Sequence, residues 1–185
     1  GGPVPPGGVS SPLTFTIPEL PGGHLTFRAV LLGTAERTPV DTLEVTLDVV
    51  VPPGSVTFNE IMAAPAEGPE WIEIVSGSEH AIVLDGWTIR DSAGNTGTVD
   101  AGAEIPGGGF AILADGTLSG LPPDAVTGAV SGFPALNNDG DAVILIEHTG
   151  TVADSMEYID TERGVSLEKY RMKSGAFGWD TSTSP

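Results

Sequence analysis

Apolar and polar residues alternate over three stretches near the start of the chain. Residues 13–17, 24–32 and 43–49 place every second residue on one side, which is the period of a strand that buries one face. A turn-forming segment, residues 18–23, separates the first two stretches. We therefore expect three amphipathic strands here, each with one apolar face.

The chain from residue 56 onward predicts further short strands separated by turns. Turn signals such as Asp85-Gly86 and Asn138-Asp139-Gly140 interrupt the apolar runs, and no segment keeps a helical period over three turns. This pattern is typical of an all-β antiparallel sandwich. The predicted strands are residues 56–62, 70–75, 82–84, 87–90, 110–114, 142–147, 152–158 and 165–171.

Pro52, Pro53 and Gly54 interrupt strand pairing between the alternating stretches near the start and the strands predicted from residue 56 onward. We therefore expect a Gly/Pro linker at 1–12, an incomplete β segment at 13–51, a second linker at 52–55 and a β-sandwich at 56–185. The incomplete segment needs a cover for its apolar face, from upstream sequence, the second domain or another chain. An opening of Gly-Gly-Pro indicates a mature or excised piece of a longer protein.

Composition narrows the classes of function. The 185 residues include 25 acidic and 7 basic side chains, a net charge of -18, and no cysteine. The absence of cysteine excludes disulfides, zinc-thiolate sites and a cysteine nucleophile. The negative charge argues against nucleic-acid binding, because it repels phosphate backbones, and it favours cations and basic partners. No apolar run approaches the roughly 20 residues of a membrane-spanning helix, so membrane insertion is not expected.

Glu60, Glu70 and Glu73 are the first catalytic candidates, because paired carboxylates carry out glycoside hydrolysis. Strand alternation places Trp71 and Glu73 on one face and Glu70 on the other. No histidine or serine motif nearby would activate a nucleophile. We therefore expect these acids to lie at strand edges in structural roles and no catalytic residue in the chain.

Asn137, Asp139 and Asp141 are candidate calcium ligands, because their oxygens are dense and Gly140 permits a sharp bend. The EF-hand pattern fails, since the closing glutamate and the flanking helices are missing. A tight hairpin turn accounts for the same residues. We therefore expect a structural turn and no cofactor, with calcium binding as the alternative.

The other polar and aromatic candidates favour structural roles. His24, His80 and His148 lack metal-ligand spacing and are expected to be solvated. Trp71 and Trp87 lie in alternating patterns and are expected in the core, although an aromatic platform for a sugar ring is the alternative.

Four of the seven basic residues fall within eleven positions near the end of the chain. They are Arg163, Lys169, Arg171 and Lys173. On so acidic a protein this cluster is a candidate self-association patch, with a solvated strand face as the alternative.

Seven short motifs follow one another in the second part of the chain. They are NEIM at 59–62, EWIEI at 70–74, LDGWTIRD at 84–91, IPGGG at 105–109, LNNDGDAV at 136–143, DS at 154–155 and GVSLE at 164–168. Their order and spacing resemble the bacterial lamin-tail domain, the immunoglobulin-like sandwich also found at the end of nuclear lamins. The Gly-Thr-Pro-Gly turn that usually follows the last tryptophan is absent or cut off here. The incomplete segment at 13–51 resembles the closing half of a fibronectin type III or similar immunoglobulin-like domain, with Leu25 where that family usually has a tyrosine.

The resemblance implies a non-catalytic module. We expect an extracellular structural or interaction module of a prokaryotic surface, matrix or filament protein. Its partners would be other proteins, either further copies of itself that complete the N-terminal β segment or neighbouring domains of a larger surface protein. The alternative is a calcium- or carbohydrate-binding accessory module of a secreted hydrolase.

Overall fold

The computed structural model describes residues 23–32, 39–49, 51–171 and 177–182. All of its regular elements are strands, because the sequence offers alternating apolar residues between turns and no helical period. The strands are β1 (Gly23–Leu32), β2 (Pro39–Val49), β3 (Val56–Met62), β4 (Trp71–Ser76), β5 (Ile82–Val83), β6 (Thr88–Arg90), β7 (Thr96–Val99), β8 (Glu104–Ile105), β9 (Phe110–Ala114), β10 (Thr127–Ser131), β11 (Asp141–Ile146), β12 (Val152–Tyr158), β13 (Leu167–Arg171) and β14 (Phe177–Thr181).

β1 and β2 form a two-stranded antiparallel sheet of their own. Its register pairs Gly23 with Val49 at one end and Leu32 with Pro39 at the other. These strands confirm that two of the three segments expected near the start form strands. The third, residues 13–17, lies outside the described residues.

The strands from β3 onward form an immunoglobulin-like sandwich, as expected. One layer runs β12-β11-β6-β7-β10 and the other β10-β9-β4-β3-β13-β14, while β5 pairs with β8. β10 belongs to both layers: Thr127 to Ala129 pair with β9, and Val130 and Ser131 pair with β7. A strand that changes sheets in this way makes a corner of the sandwich. The β9–β10 pairing is parallel, whereas the neighbouring strands on either side, β4–β9 and β7–β10, pair in antiparallel fashion.

The core lies between the two layers. Trp87, Phe58 and Ile72 are inaccessible to solvent, and the inward residues of both layers pack around them. Burial of this apolar area, at roughly 25 cal/mol per Å², is the main force that holds the layers together. Because residues alternate along a strand, the neighbours of these inward residues form the outer faces.

The segment before β3 packs onto the sandwich. Val51 is buried, and its N–H lies 3.3 Å from a carboxylate oxygen of Glu147. Gly54 N–H donates to the carbonyl of Ala153 at 3.0 Å. The residues expected as a linker at 52–55 thus make ordered contacts with the domain that follows them.

Candidate functional site

Three glutamates lie in a row across the outer face of one layer. Glu60 on β3 is directly opposite Glu73 on β4 and directly opposite Glu168 on β13. Their neighbours Ile61, Ile72 and Leu167 are buried, so strand alternation directs the glutamates away from the core. The β-bulge at Asn59, between Phe58 and Glu60, sets the register that aligns Glu60 with Glu73.

Each of these carboxylates accepts a hydrogen bond from a neutral side chain. The hydroxyl of Ser166 donates to Glu60. Asn59 Nδ2 donates to Glu73 Oε1 at 2.7 Å, and Ser182 Oγ donates to Glu168 Oε1 at 2.9 Å. These donors orient the carboxylates without neutralising their charge.

Burial raises the pKa of the Glu60 carboxyl above its ordinary value. The hydrogen bond from Ser166 lowers this pKa, but the charges of Glu73 and Glu168 raise it further. Like charges held opposite each other on neighbouring strands are unfavourable. The row is therefore a site where negative charges repel one another.

Apolar side chains flank the row and complete a groove of about 680 Å³. Trp71 and Met62 face each other across β3 and β4, and the loop after β9 adds Leu121. We call this concave surface the acidic groove. It is lined by Glu60, Met62, Trp71, Glu73, Ile112, Leu121, Pro122, Gly164, Val165, Ser166, Glu168 and Ser182.

Trp71 differs from the sequence expectation. Trp87 is buried in the core as expected, whereas Trp71 is only half-buried and lines the acidic groove. The reason is strand alternation: Ile72 and Ile74 take the inward positions of β4, so Trp71 and Glu73 share the outer face.

Glu70 does not join the other two catalytic candidates. It lies before β4 and accepts the N–H of Leu136 at 2.8 Å. Burial raises its pKa, this hydrogen bond lowers it, and the charge of Asp141 raises it again. Glu70 lines a second cleft of about 680 Å³, which also includes Phe133, Asn138 and Arg163.

The calcium candidates form a turn in which the carboxylate of Asp141 accepts four hydrogen bonds. Its Oδ1 accepts the N–H groups of Ser92 at 3.1 Å and Ala142 at 2.8 Å. Its Oδ2 accepts the N–H and the Nδ2 of Asn137 at 3.2 and 2.8 Å. Asp139 and Asn137 are exposed, and Asp141 is buried. In the part of the chain that the structure describes, no group of three or more His, Cys, Asp or Glu could hold a metal ion, and calcium binding here stays a prediction.

Hydrogen bonds also set the acidity of Asp141. Burial raises the pKa of its carboxyl, but the hydrogen bonds from Ser92, Asn137 and Ala142 outweigh burial and hold that pKa below its ordinary value. The charged form of Asp141 is thus part of the folded turn.

The basic residues near the end of the chain do not form one patch among those described. Arg163 lies at the second cleft, and its guanidinium donates to the carbonyl of Ala66 at 3.2 Å. Lys169 is largely buried; its Nζ lies 3.2 Å from Asp154 Oδ2 and 5.2 Å from the ring centre of Phe177. Arg171 ends β13, and Lys173 lies outside the described residues.

Asp154 and Glu147 are structural acids that sequence reasoning missed. Asp154 Oδ2 on β12 accepts the N–H of Phe58 on β3 at 3.0 Å, which joins the two layers at one side. Glu147 is buried against Val51 and lies 3.2 Å from Nδ1 of His148. The signals were the DS motif at 154–155 and, at Glu147, an acid that follows a run of apolar residues. The expectation of a solvated His148 was wrong, because its side chain is only 10% exposed.

No helix in the described ranges is long and apolar enough to cross a membrane. Comparison with known proteins identifies a family but no individual relative. No curated protein matches the chain in a sequence search. The family model of the lamin tail domain matches residues 51–160, which is more than half of the chain. Its first matched residue, Val51, is the buried residue that precedes β3. The chain therefore belongs to the lamin tail domain family, whose members are non-enzymatic immunoglobulin-like domains with structural and interaction roles.

Proposed function

We propose that the chain is a non-catalytic structural and interaction module of an extracellular surface, matrix or filament protein of a prokaryote. It associates with further copies of itself, and a strand of a neighbouring copy completes its N-terminal hairpin. The resemblance of its motifs to bacterial lamin-tail domains supports the prokaryotic surface setting. The net charge of -18 favours cationic surroundings and basic partners.

The observation that carries the self-association proposal is the hairpin β1–β2. It forms its own sheet, and within the described residues neither outer edge pairs with another strand. Its strands are 10 and 11 residues long, and a long unpaired edge is a template for pairing with another chain.

The composition of the hairpin strengthens this proposal. By register, Leu25, Phe27 and Ala29 share one face with Leu43, Val45 and Leu47, while Arg28 is opposite Glu44 on the other face. Arg28 and Glu44 are exposed. A two-stranded sheet with one apolar face is at best marginally stable alone in water, so that face requires a cover.

The test is the molar mass of the full chain by light scattering over a range of protein concentrations. We expect oligomers that dissociate in Phe27→Lys, which puts a charge on the apolar face. Thr26→Lys adds the same charge to the opposite face of the same strand and should still assemble. A monomer at every concentration, or equal behaviour of the two variants, would contradict self-association through the hairpin.

The second cleft favours the alternative role of a ligand-binding accessory module. It combines the ring of Phe133 with polar groups of Glu70, Asn138 and Arg163, the mixture that carbohydrate recognition uses. A rise in melting temperature with a glycan or with calcium would support this role. Glu70→Gln should abolish the rise with a glycan, and Glu104→Gln, an exposed acid on β8, should not.

A further inference from the structure

We propose that the acidic groove binds the cationic side chain of a lysine or arginine in an extended segment of a partner protein. This inference rests on the proposed role as a protein-interaction module and names the chemistry of the partner. It does not depend on assembly through the hairpin.

The negative charge of the groove has no compensating ion pair among the residues that the structure describes. In the portion that the structure describes, no lysine or arginine forms an ion pair with Glu60, Glu73 or Glu168. The side chain of Lys169, on the same strand as Glu168, is instead paired with Asp154. A bound cation would replace the unfavourable proximity of three carboxylates with charge-assisted hydrogen bonds.

The spacing of the row suits a single cationic group. Directly opposite residues of neighbouring strands have Cβ atoms about 5 Å apart. An ammonium or guanidinium between Glu60 and Glu73 can therefore contact both carboxylates at once. Ser166 and Asn59 already hold these two carboxylates in place from the side.

The walls of the groove favour an organic cation over a metal ion. Trp71 offers an aromatic ring to a cation, and Met62 and Ile112 offer apolar surface to the methylene stem of a lysine. Among the described residues, no group that includes these glutamates has the arrangement to hold a metal ion. The groove volume of about 680 Å³ has room for several side chains of an extended segment.

The experiment is a titration of the isotope-labelled full chain with a capped peptide that carries lysines at alternating positions, followed by NMR. We expect saturable shifts of the indole N–H signal of Trp71. The matched peptide with glutamine in place of lysine should bind at least about tenfold more weakly, since each 1.4 kcal/mol is a factor of ten.

Two double variants that remove the same amount of charge, one inside the groove and one outside it, decide whether the groove is the binding site for the lysine peptide. Glu60→Gln with Glu73→Gln should weaken lysine-peptide binding by about tenfold or more, since it removes two charged partners. Glu104→Gln with Glu157→Gln removes the same charge from exposed positions on β8 and β12 and should leave binding within about twofold. Trp71→Ala, read through backbone amide signals, should also weaken binding.

Three results would overturn the proposal. The first is the absence of saturable lysine-peptide binding. The second is an equal loss of binding in the two double variants, which would assign the attraction to the overall charge. The third is displacement of the peptide from this site by calcium alone at equimolar concentration, which would make it a metal site. Each result leaves the light-scattering test of the hairpin unaffected, so failure of this proposal and failure of self-association are separate outcomes.

Discussion

Asp141 and Glu60 are carboxylates of the same sandwich in opposite surroundings. Asp141, at the start of β11, accepts hydrogen bonds from Ser92, Asn137 and Ala142, and its pKa is held low. Glu60, on the outer face of β3, lies between two further carboxylates, and burial and their charges raise its pKa. The comparison teaches that burial alone does not define the role of an acid: its neighbours decide whether its charge supports the fold or opposes it.

The largest expected effect is a loss of stability when the carboxylate of Asp141, which accepts the hydrogen bonds of the turn before β11, is removed. In Asp141→Ala the N–H donors of Ser92 and Asn137 lose their partner, so we expect the free energy of unfolding to fall by about 3 kcal/mol. Urea denaturation measures this change. Asp139→Ala, an exposed acid in the same turn, should stay within about 0.5 kcal/mol of the parent protein. Equal effects of the two substitutions would show that hydrogen bonding to Asp141 does not stabilise the fold.

A smaller loss in the free energy of unfolding is expected when Asp154, whose Oδ2 atom joins the two layers, is replaced. Asp154→Ala removes the acceptor of the Phe58 N–H and should cost about 1–2 kcal/mol in urea denaturation. Lys169→Met keeps the Phe58 contact but removes the ion pair and the contact of the ammonium with the Phe177 ring. It should cost less than about 1 kcal/mol, since partly exposed pairs contribute little. If Lys169→Met were the more damaging of the two, the ion pair between β12 and β13, and not the amide contact between β12 and β3, would hold the two layers together at this side.

The smallest expected effect is on the pH dependence of stability. The pKa of Glu60 is raised in the folded state, so folding binds a proton between the ordinary value of 4.5 and the raised value. The parent protein should therefore gain stability relative to Glu60→Gln as the pH falls from neutral through the raised pKa to about 4.5. The groups that face Glu60 are Glu73 on β4, Glu168 on β13 and the hydroxyl of Ser166.

Thermal denaturation of the two proteins across this pH range measures the difference. Taking a difference removes the contribution of Asp141, which has the opposite sign because its lowered pKa costs stability as the pH falls through it. Glu104→Gln, which removes the same charge from an exposed position on β8, is the control for the loss of one negative charge. A difference that grows as the pH rises from 4.5 would contradict the raised pKa of Glu60.

Local pattern predicts much of the fold. The alternation at Val56–Met62, Phe110–Ala114 and Val152–Tyr158 gives the observed strands with their observed ends. It misses Thr96–Val99 and Thr127–Ser131, because small and hydroxyl-bearing residues dominate these short strands and weaken the apolar signal. Membership of the β-sandwich class thus follows from the sequence, whereas the strand that changes sheets does not.

The acidic row could be predicted only in part. The pattern places Glu73 and Trp71 on one face of β4, and this is observed. The approach of Glu168 to Glu60 depends on pairing between strands more than a hundred positions apart, and the alignment of Glu60 with Glu73 depends on the bulge at Asn59. Neither the pairing of β13 with β3 nor the bulge can be predicted from a short stretch of sequence, because the register of the strands is set by tertiary packing.

We infer that the row of Glu60, Glu73 and Glu168 binds a partner and does not stabilise the fold. The most direct measurement is the free energy of unfolding of the variant with Glu60→Gln and Glu73→Gln at neutral pH. Glutamine keeps an acceptor oxygen for Ser166 and Asn59 but removes the repulsion, so we expect equal stability or a gain of up to about 1 kcal/mol. A loss of more than about 1 kcal/mol would show that the carboxylates hold the sheet together, and would contradict the claim.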